Sequence, residues 1–241
     1  MAQDCTKGLF VLVVLCLVLV TQVPVVGSQP AGKPDAATDA EEKPIPGTTI
    51  PCAPIAEKKQ ELGCYVVGRP RLGVLPTDTP LVWHLNVFPN LTTAEAAKNQ
   101  FGTVTEAFDR VWLFTIAPSD WRAAGAEHVA TVGPLPLEPR AAEYTAVYLA
   151  TTFRPGLSSF VHKHSGPEAW FIVSGEQCLE TPDGPIWGRA GEGVAVRGEL
   201  PMIVYATGSE LRRSFALILH DAAKASSTPV DHWKPQGLCR N

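Results

Sequence analysis

The stretch GLSSFVHKHSGPEAWFIVSG, residues 156–175, decides how the rest of the chain is read. Apolar and aromatic residues flank a Ser165-Gly166-Pro167 turn, which predicts two short strands of a hairpin, the first ending in His162 and His164. On a strand, residues i and i+2 point to one face. The two imidazoles therefore stand side by side, roughly 6 to 7 Å apart at Cα, with Lys163 turned away. Glu168 opens the return strand and is expected across from the histidines, where opposed Cβ atoms come within about 5 Å. Two imidazoles and one carboxylate, with open positions left over, form the facial arrangement that suits iron(II), and manganese or zinc can also occupy it. The bland alternative is two ordinary strand histidines beside a solvated glutamate.

The fixed positions and spacings of this segment, G-x5-H-x-H-x3-E-x6-G, resemble the first motif of the cupin superfamily. The resemblance implies a small antiparallel β-barrel or jelly roll over residues 126–224, an architecture whose closure removes exposed sheet edges. It also implies a divalent metal ion on His162, His164 and Glu168, a small-molecule ligand, and pairing of barrels into a homodimer. The family's second motif, G-x5-P-x-G-x2-H-x3-N, can be laid out from Gly191, but its side chains depart. Arg197 stands for the proline, Glu199 for the second glycine, Met202 for the ligand histidine and Ala206 for the asparagine. A soft thioether is a poor ligand for a hard or borderline ion, so Met202 is expected to pack on an inward face. His220 is the best substitute histidine, weighed against an exposed strand end that leads into Asp221. Glu199 and Tyr205 are further polar groups within reach of such a pocket.

At the amino end, residues 8–20 form a continuous apolar run behind Lys7, and Val25-Val26-Gly27 supplies the small residues of a cleavage site. A secretory signal over 1–27 is expected, with an uncleaved membrane anchor as the alternative. Export would leave Cys52, Cys64, Cys178 and Cys239, an even number that permits disulfides with three pairings. Cys52 with Cys64 is the most local pair, leaving Cys178 and Cys239 to pair or remain thiols. None has C-x-x-C spacing, which argues against a zinc knuckle or a thioredoxin-type redox role.

The net charge of −4 is mild, and Lys and Arg are scattered without a basic stripe, so no nucleic-acid partner is expected. Twenty-two prolines and twenty glycines favour many short elements and turns, hence a mostly β protein. Residues 28–60 are rich in Pro, Ala, Asp, Glu and Lys and read as a disordered linker. Residues 61–125 read as a small α+β lobe, a degenerate cupin if it descends from a duplication. Its elements are strands at 64–67, 81–88 and 111–116 and a helix opened by the capping pattern Thr92-Thr93-Ala94-Glu95. His84 on that lobe reads as a structural histidine. The barrel's strands are expected at 128–132, 144–152, 158–164, 168–173, 177–180, 193–196, 202–205 and 215–219, followed by a C-terminal tail over 225–241.

Three functions fit these features. The chain is an exported metal-dependent enzyme, dioxygenase-like or isomerase-like, acting on a small oxygenated molecule. Alternatively it is a non-catalytic module that binds a sugar or acid at the cell envelope, or an interaction protein tethered through its linker. A membrane is a partner only if the N-terminal segment stays uncleaved.

Overall fold

The computed structural model describes residues 52–239, and the protein is mostly β over that range. The leader expected over 1–27 and residues 28–51 of the linker lie outside the described residues, as do 240 and 241. No helix among the described residues is long and apolar enough to cross a membrane.

The chain is built on a sheet ordered β1 (Cys52–Pro54), β2 (Gly63–Gly68), β8 (Tyr144–Phe153), β15 (Arg212–Asp221), β10 (Glu168–Ser174), β13 (Gly193–Val196), with β3 (Arg71–Gly73) also on β8. β8 and β15 pair antiparallel over their whole length, from Arg212 opposite Phe153 to Asp221 opposite Tyr144. Both faces of this central sheet are covered, so its strands read as nearly unbroken apolar runs rather than as clean alternation.

On one face, Tyr148, Ala150, Phe171, Phe215 and Leu217 pack against a second sheet through Trp83, Leu85, Trp112, Phe114 and Ile116. That second sheet is ordered β5 (Gly102–Ala107), β6 (Arg110–Pro118), β4 (Leu81–Phe88), β7 (Glu127–Val132). Phe215 lies 4.8 Å from Trp112 and 4.9 Å from Phe114, both edge-on. Such pairs add about 0.5–1.5 kcal/mol each beyond the area they bury. Helix α1 (Leu91–Ala97) covers the outer side of the second sheet through Ala94 against Phe88 and Leu113.

The other face of the central sheet looks toward a third sheet, β12 (Gly184–Arg189), β11 (Glu176–Thr181), β14 (Ile203–Thr207). Trp170, Ile172 and Ala216 meet Leu179 and Met202 between them. These two sheets form the jelly-roll-like part of the molecule, and β9 (His162–Lys163) pairs with β16 (Thr228–Pro229) beside them.

Four sequence-based boundaries move. Order begins at Cys52, inside the stretch assigned to the linker, because β1 pairs parallel with β2 and Cys52 is bonded to Cys64. Residue 125 is not a division: β2 and β3 join the central sheet, while β7 pairs with β4. Alternation distinguishes a strand from a helix but does not name its partner. The segment after 225 is part of the fold, since Cys239 is bonded to Cys178 and the buried Glu180 accepts the backbone N–H groups of Gln236 and Gly237. β12 has no counterpart in the sequence reading because Pro185 and Gly188 hide it. The helix is capped by Asn90, whose Oδ1 accepts from Thr93 N at 2.9 Å, two residues earlier than the Thr92 pattern suggests.

The two disulfides close loops of 12 and 61 residues. In the chain-entropy view these are worth about 3 and about 4 kcal/mol. Replacing Cys52 and Cys64 by Ser should lower the stability measured in urea by about 3 kcal/mol, and replacing Cys178 and Cys239 by about 4. Peptide mapping without reductant should return these two pairs alone.

Candidate metal centre

The residues at 156–175 do not form the expected hairpin. β9 pairs with β16 and β10 pairs with β13 and β15, so the histidines and the glutamate reach the site from different sheets. The turn between them runs over the end of β15, where Leu219 N donates to the Pro167 carbonyl at 2.9 Å. Gly166 is required there: a Cβ would stand 2.1 Å from the Leu219 carbonyl oxygen. The outcome for the side chains is nevertheless the one their spacing suggests. His162, His164 and Glu168 are all buried, with one ligand atom from each lying within 4.8 Å of the others. Lys163 points away and pairs with Glu199 on the surface at 2.5 Å.

Backbone carbonyls orient both rings. His162 Nδ1–H donates to the Phe160 carbonyl at 2.8 Å, and His164 Nδ1–H donates to the carbonyl of Ser226 in the C-terminal segment. A carbonyl only accepts, so each Nδ1 carries a proton and each Nε2 is the ring nitrogen turned toward the site. That is the arrangement by which metal-binding histidines are commonly held. His164 Nε2 lies 3.1 Å from Glu168 Oε2, and that oxygen is buried without a hydrogen-bond donor. Ligand atoms that share an ion at about 2.1 Å in a facial or tetrahedral arrangement sit about 3.0 to 3.4 Å apart. The widest pair of the cluster would close by somewhat more than an ångström on binding, within reach of side-chain rotation. Two imidazoles and a buried carboxylate so placed fit a divalent ion.

Burial draws the His162 imidazole down from 6.5 to about 4, and the neighbouring His164 adds to the effect; Glu168 and the Phe160 carbonyl oppose it. The ring is therefore neutral at physiological pH and needs no deprotonation to bind.

The three residues line a cavity of about 230 Å³ between the central sheet and the third sheet. Its walls alternate with the pleat. Val147, Leu149, Thr151 and Phe153 come from β8, while Arg212, Ser214, Ala216 and Ile218 come from β15. Trp170 and Val204 supply further apolar surface, and Ser226, Ser227 and Pro229 of the C-terminal segment close it. A second, larger cleft of about 680 Å³ lies by the β5–β6 turn. Its charged residues, Lys58, Glu61, Glu106, Asp109 and Arg110, are exposed and gather no ligand set.

His220 does not join the cluster. It is buried rather than exposed, its Nδ1–H donates to the Asp221 carbonyl at 2.9 Å, and burial lowers its pKa. Tyr205 faces the opposite side of the third sheet, among Cys178, Ile203 and Cys239. Glu199 faces solvent toward Lys163. Met202 packs in the apolar cluster with Trp170 and Leu179, as expected of an inward thioether. His84 is likewise structural: its Nε2–H donates to the Pro118 carbonyl at 2.9 Å, and Nδ1 faces Thr131 Oγ1 at 3.3 Å. The sequence reading missed Arg212 and the Ser226–Pro229 segment altogether; neither lies near the motif, and only the alternation along 212–218 hints at the first.

No protein-family model and no curated protein matches the chain. Cupin superfamily structures recur among the solved structures to which it is similar. A cupin superfamily protein from Desulfitobacterium hafniense is 17% identical with a TM-score of 0.30, over 32% of this chain and 68% of that one. A cupin-like protein from Thermotoga maritima is 12% identical with a TM-score of 0.32, over 40% of this chain and 71% of its own. A DMSP lyase from Ruegeria pomeroyi is 17% identical with a TM-score of 0.31, over 35% of this chain; the match spans 43% of the lyase.

His84, His162 and His220 all have pKa values lowered chiefly by burial. Below pH 6.5 the unfolded chain binds protons that the folded one refuses, so stability rises with pH across this window and is lost on acidification. For His162 the span from 6.5 to about 4 corresponds to about 3 kcal/mol. Melting temperatures of the chelated protein should fall steadily from neutral pH toward pH 4, and His162→Gln should flatten the slope.

Proposed function

We propose that the protein is an exported metalloprotein that holds one divalent ion on His162, His164 and Glu168 and presents it to a small oxygenated molecule in the adjoining cavity. The observation that carries this is the buried carboxylate oxygen of Glu168, left without a donor, facing two histidines whose tautomers aim Nε2 into the same space. Such an ion would supply Lewis acidity to an oxygen of the bound molecule. The protein's own contribution is to orient the ligands through the Phe160 and Ser226 carbonyls and to shield the site with the apolar walls of Trp170, Leu149 and Ile218. Two disulfides are compatible with an oxidising compartment and support export.

Two uses of the site follow: turnover at the metal, of the dioxygenase or isomerase kind, and capture of the ligand without turnover. One observation favours capture. Every His, Asp and Glu among the described residues lining the cavity belongs to the ligand set, which leaves no side-chain carboxylate or imidazole for proton transfer.

The mature protein purified without chelator should contain about one divalent ion per chain. The double variant His162→Ala, His164→Ala should keep its fold by circular dichroism and lose the ion. Folded wild-type protein that takes up none of iron(II), manganese(II) or zinc(II) would overturn the proposal.

A further inference from the structure

The cavity holds a second charged group besides the glutamate. Arg212 lies on the inward face of β15 and is only 2% exposed, with its guanidinium 4.7 Å above the Phe153 ring. Nη1 donates to Gln177 Oε1 at 2.8 Å and to Ser214 Oγ at 3.0 Å. Nε is buried with no acceptor, and no hydrogen bond from Nη2 is present among the described residues. Among the described residues no carboxylate lies within ion-pair distance of the guanidinium; Glu168 acts on it only through its field across the cavity.

This is an expensive arrangement for a purely structural residue. Removing a cation from water costs several kcal/mol even after the protein relaxes, and a buried charge is retained when a counter-charge and matching hydrogen bonds offset that loss. Two hydrogen bonds to neutral oxygens and one aromatic face satisfy one edge of the fork. The other edge, Nε with Nη2, has the spacing that receives a carboxylate through two parallel bonds. With a divalent ion beside Glu168, the cavity would also carry net positive charge at both ends.

We propose that Arg212 is the anchor for the ligand's carboxylate, so that the cavity takes a small organic acid rather than a neutral sugar or alcohol. This deepens the function proposed above and rests on the cavity being a ligand site. Size narrows the class further: 230 Å³ is room for about eight waters and falls below the roughly 300 Å³ at which drug-sized pockets begin. The stretch between the arginine and the metal cluster is lined by Leu149, Trp170 and Ala216, so the body of the acid is apolar. Ser214 and Thr151, hydrogen-bonded to each other at 2.9 Å, stand on the same wall and leave at most one hydroxyl proton for a ligand.

The test is calorimetric titration of the mature protein with butyrate, cinnamate and para-hydroxybenzoate, each against its neutral amide of the same shape, with inorganic phosphate alongside. A charge-assisted pair predicts at least one acid bound about tenfold or more tighter than its amide. Arg212→Met, which keeps the stack on Phe153, should erase that preference without lowering the melting temperature of the ligand-free protein. Arg212→Lys should keep part of the preference, because it retains the charge and loses the fork. The proposal is overturned if no acid is preferred, if phosphate binds tighter than every acid, or if Arg212→Met lowers the melting temperature and leaves the preference intact. Its failure is separable from that of the metal assignment. A chain that binds no ion but prefers acids through Arg212 keeps this proposal and sinks the other, and a chain that binds the ion without preferring acids does the reverse.

Discussion

The register between β8 and β15 is the constraint on which the rest of the molecule depends. The central sheet is covered on both faces, and its side-chain period is two. Every second residue therefore belongs to an aromatic core, and every other residue to a cavity. A slip of one position would carry Phe215 and Leu217 into the cavity and push Arg212 and Ser214 among Trp112, Phe114 and Tyr148. A guanidinium in that dry aromatic layer would cost several kcal/mol with nothing to offset it. Apolar burial on one face and polar placement on the other thus specify the same register. The long uninterrupted ladder from Arg212 to Asp221 is their joint product.

The inward face is not optimised for stability. Glu168, His162, His164, Arg212, Ser214 and Thr151 all occupy buried positions that aliphatic side chains could fill. Some of their atoms are well satisfied, as the histidine Nδ1 groups are. Others are not: one oxygen of Glu168 and Nε of Arg212 are buried without partners. These two groups carry opposite charge, share one cavity and yet form no ion pair with each other. Incompletely compensated charges of this kind concentrate where a site awaits a ligand, which is the ground for proposing a cation beside the carboxylate and an anion beside the guanidinium. The same chain has fully apolar alternatives at comparable depth, such as Ile172 and Leu217, so the polar set is a property of this face and not of buried strands in general.

What the sequence makes legible follows from distance along the chain. The histidine pair and Glu168 are legible because i, i+2 spacing is a local property, and it survived even though the predicted hairpin did not form. The strands at 81–88, 144–152 and 193–196 were legible for the same reason. Partnership was not. β7 looks like any other strand until it is found on β4, and 52–60 looks like linker until Cys52 is seen beside Cys64. Arg212 falls just outside the apolar run 215–219, where a charged residue is ordinarily a strand end in water. Only the pairing of Arg212 with Phe153, 59 residues earlier in sequence, places it inside. The C-terminal segment was invisible as structure because its anchors, a disulfide and the Glu180 carboxylate, are single residues rather than a pattern.

The fate of the second motif separates scaffold from ligand. At Glu199, where a glycine is expected, the backbone still takes the left-handed conformation, with φ of 59°. Its N–H donates to the His164 carbonyl at 2.7 Å, and Met202 exchanges backbone hydrogen bonds with His162 at 2.8 and 3.0 Å. His162 and His164 are thus gripped by main-chain bonds from this segment whatever side chains it carries. Met202, at the position where the resembled motif carries a histidine, adds an apolar side chain to the cluster around Trp170, while backbone bonds hold positions 162 and 164. From the opposite side Ser226 holds His164 and Val230 N donates to the Val161 carbonyl at 3.0 Å. Two segments far apart in sequence therefore clamp one short strand between them. That clamp lets a short segment hold two imidazoles in fixed orientation without any side-chain contribution from residues 197–202.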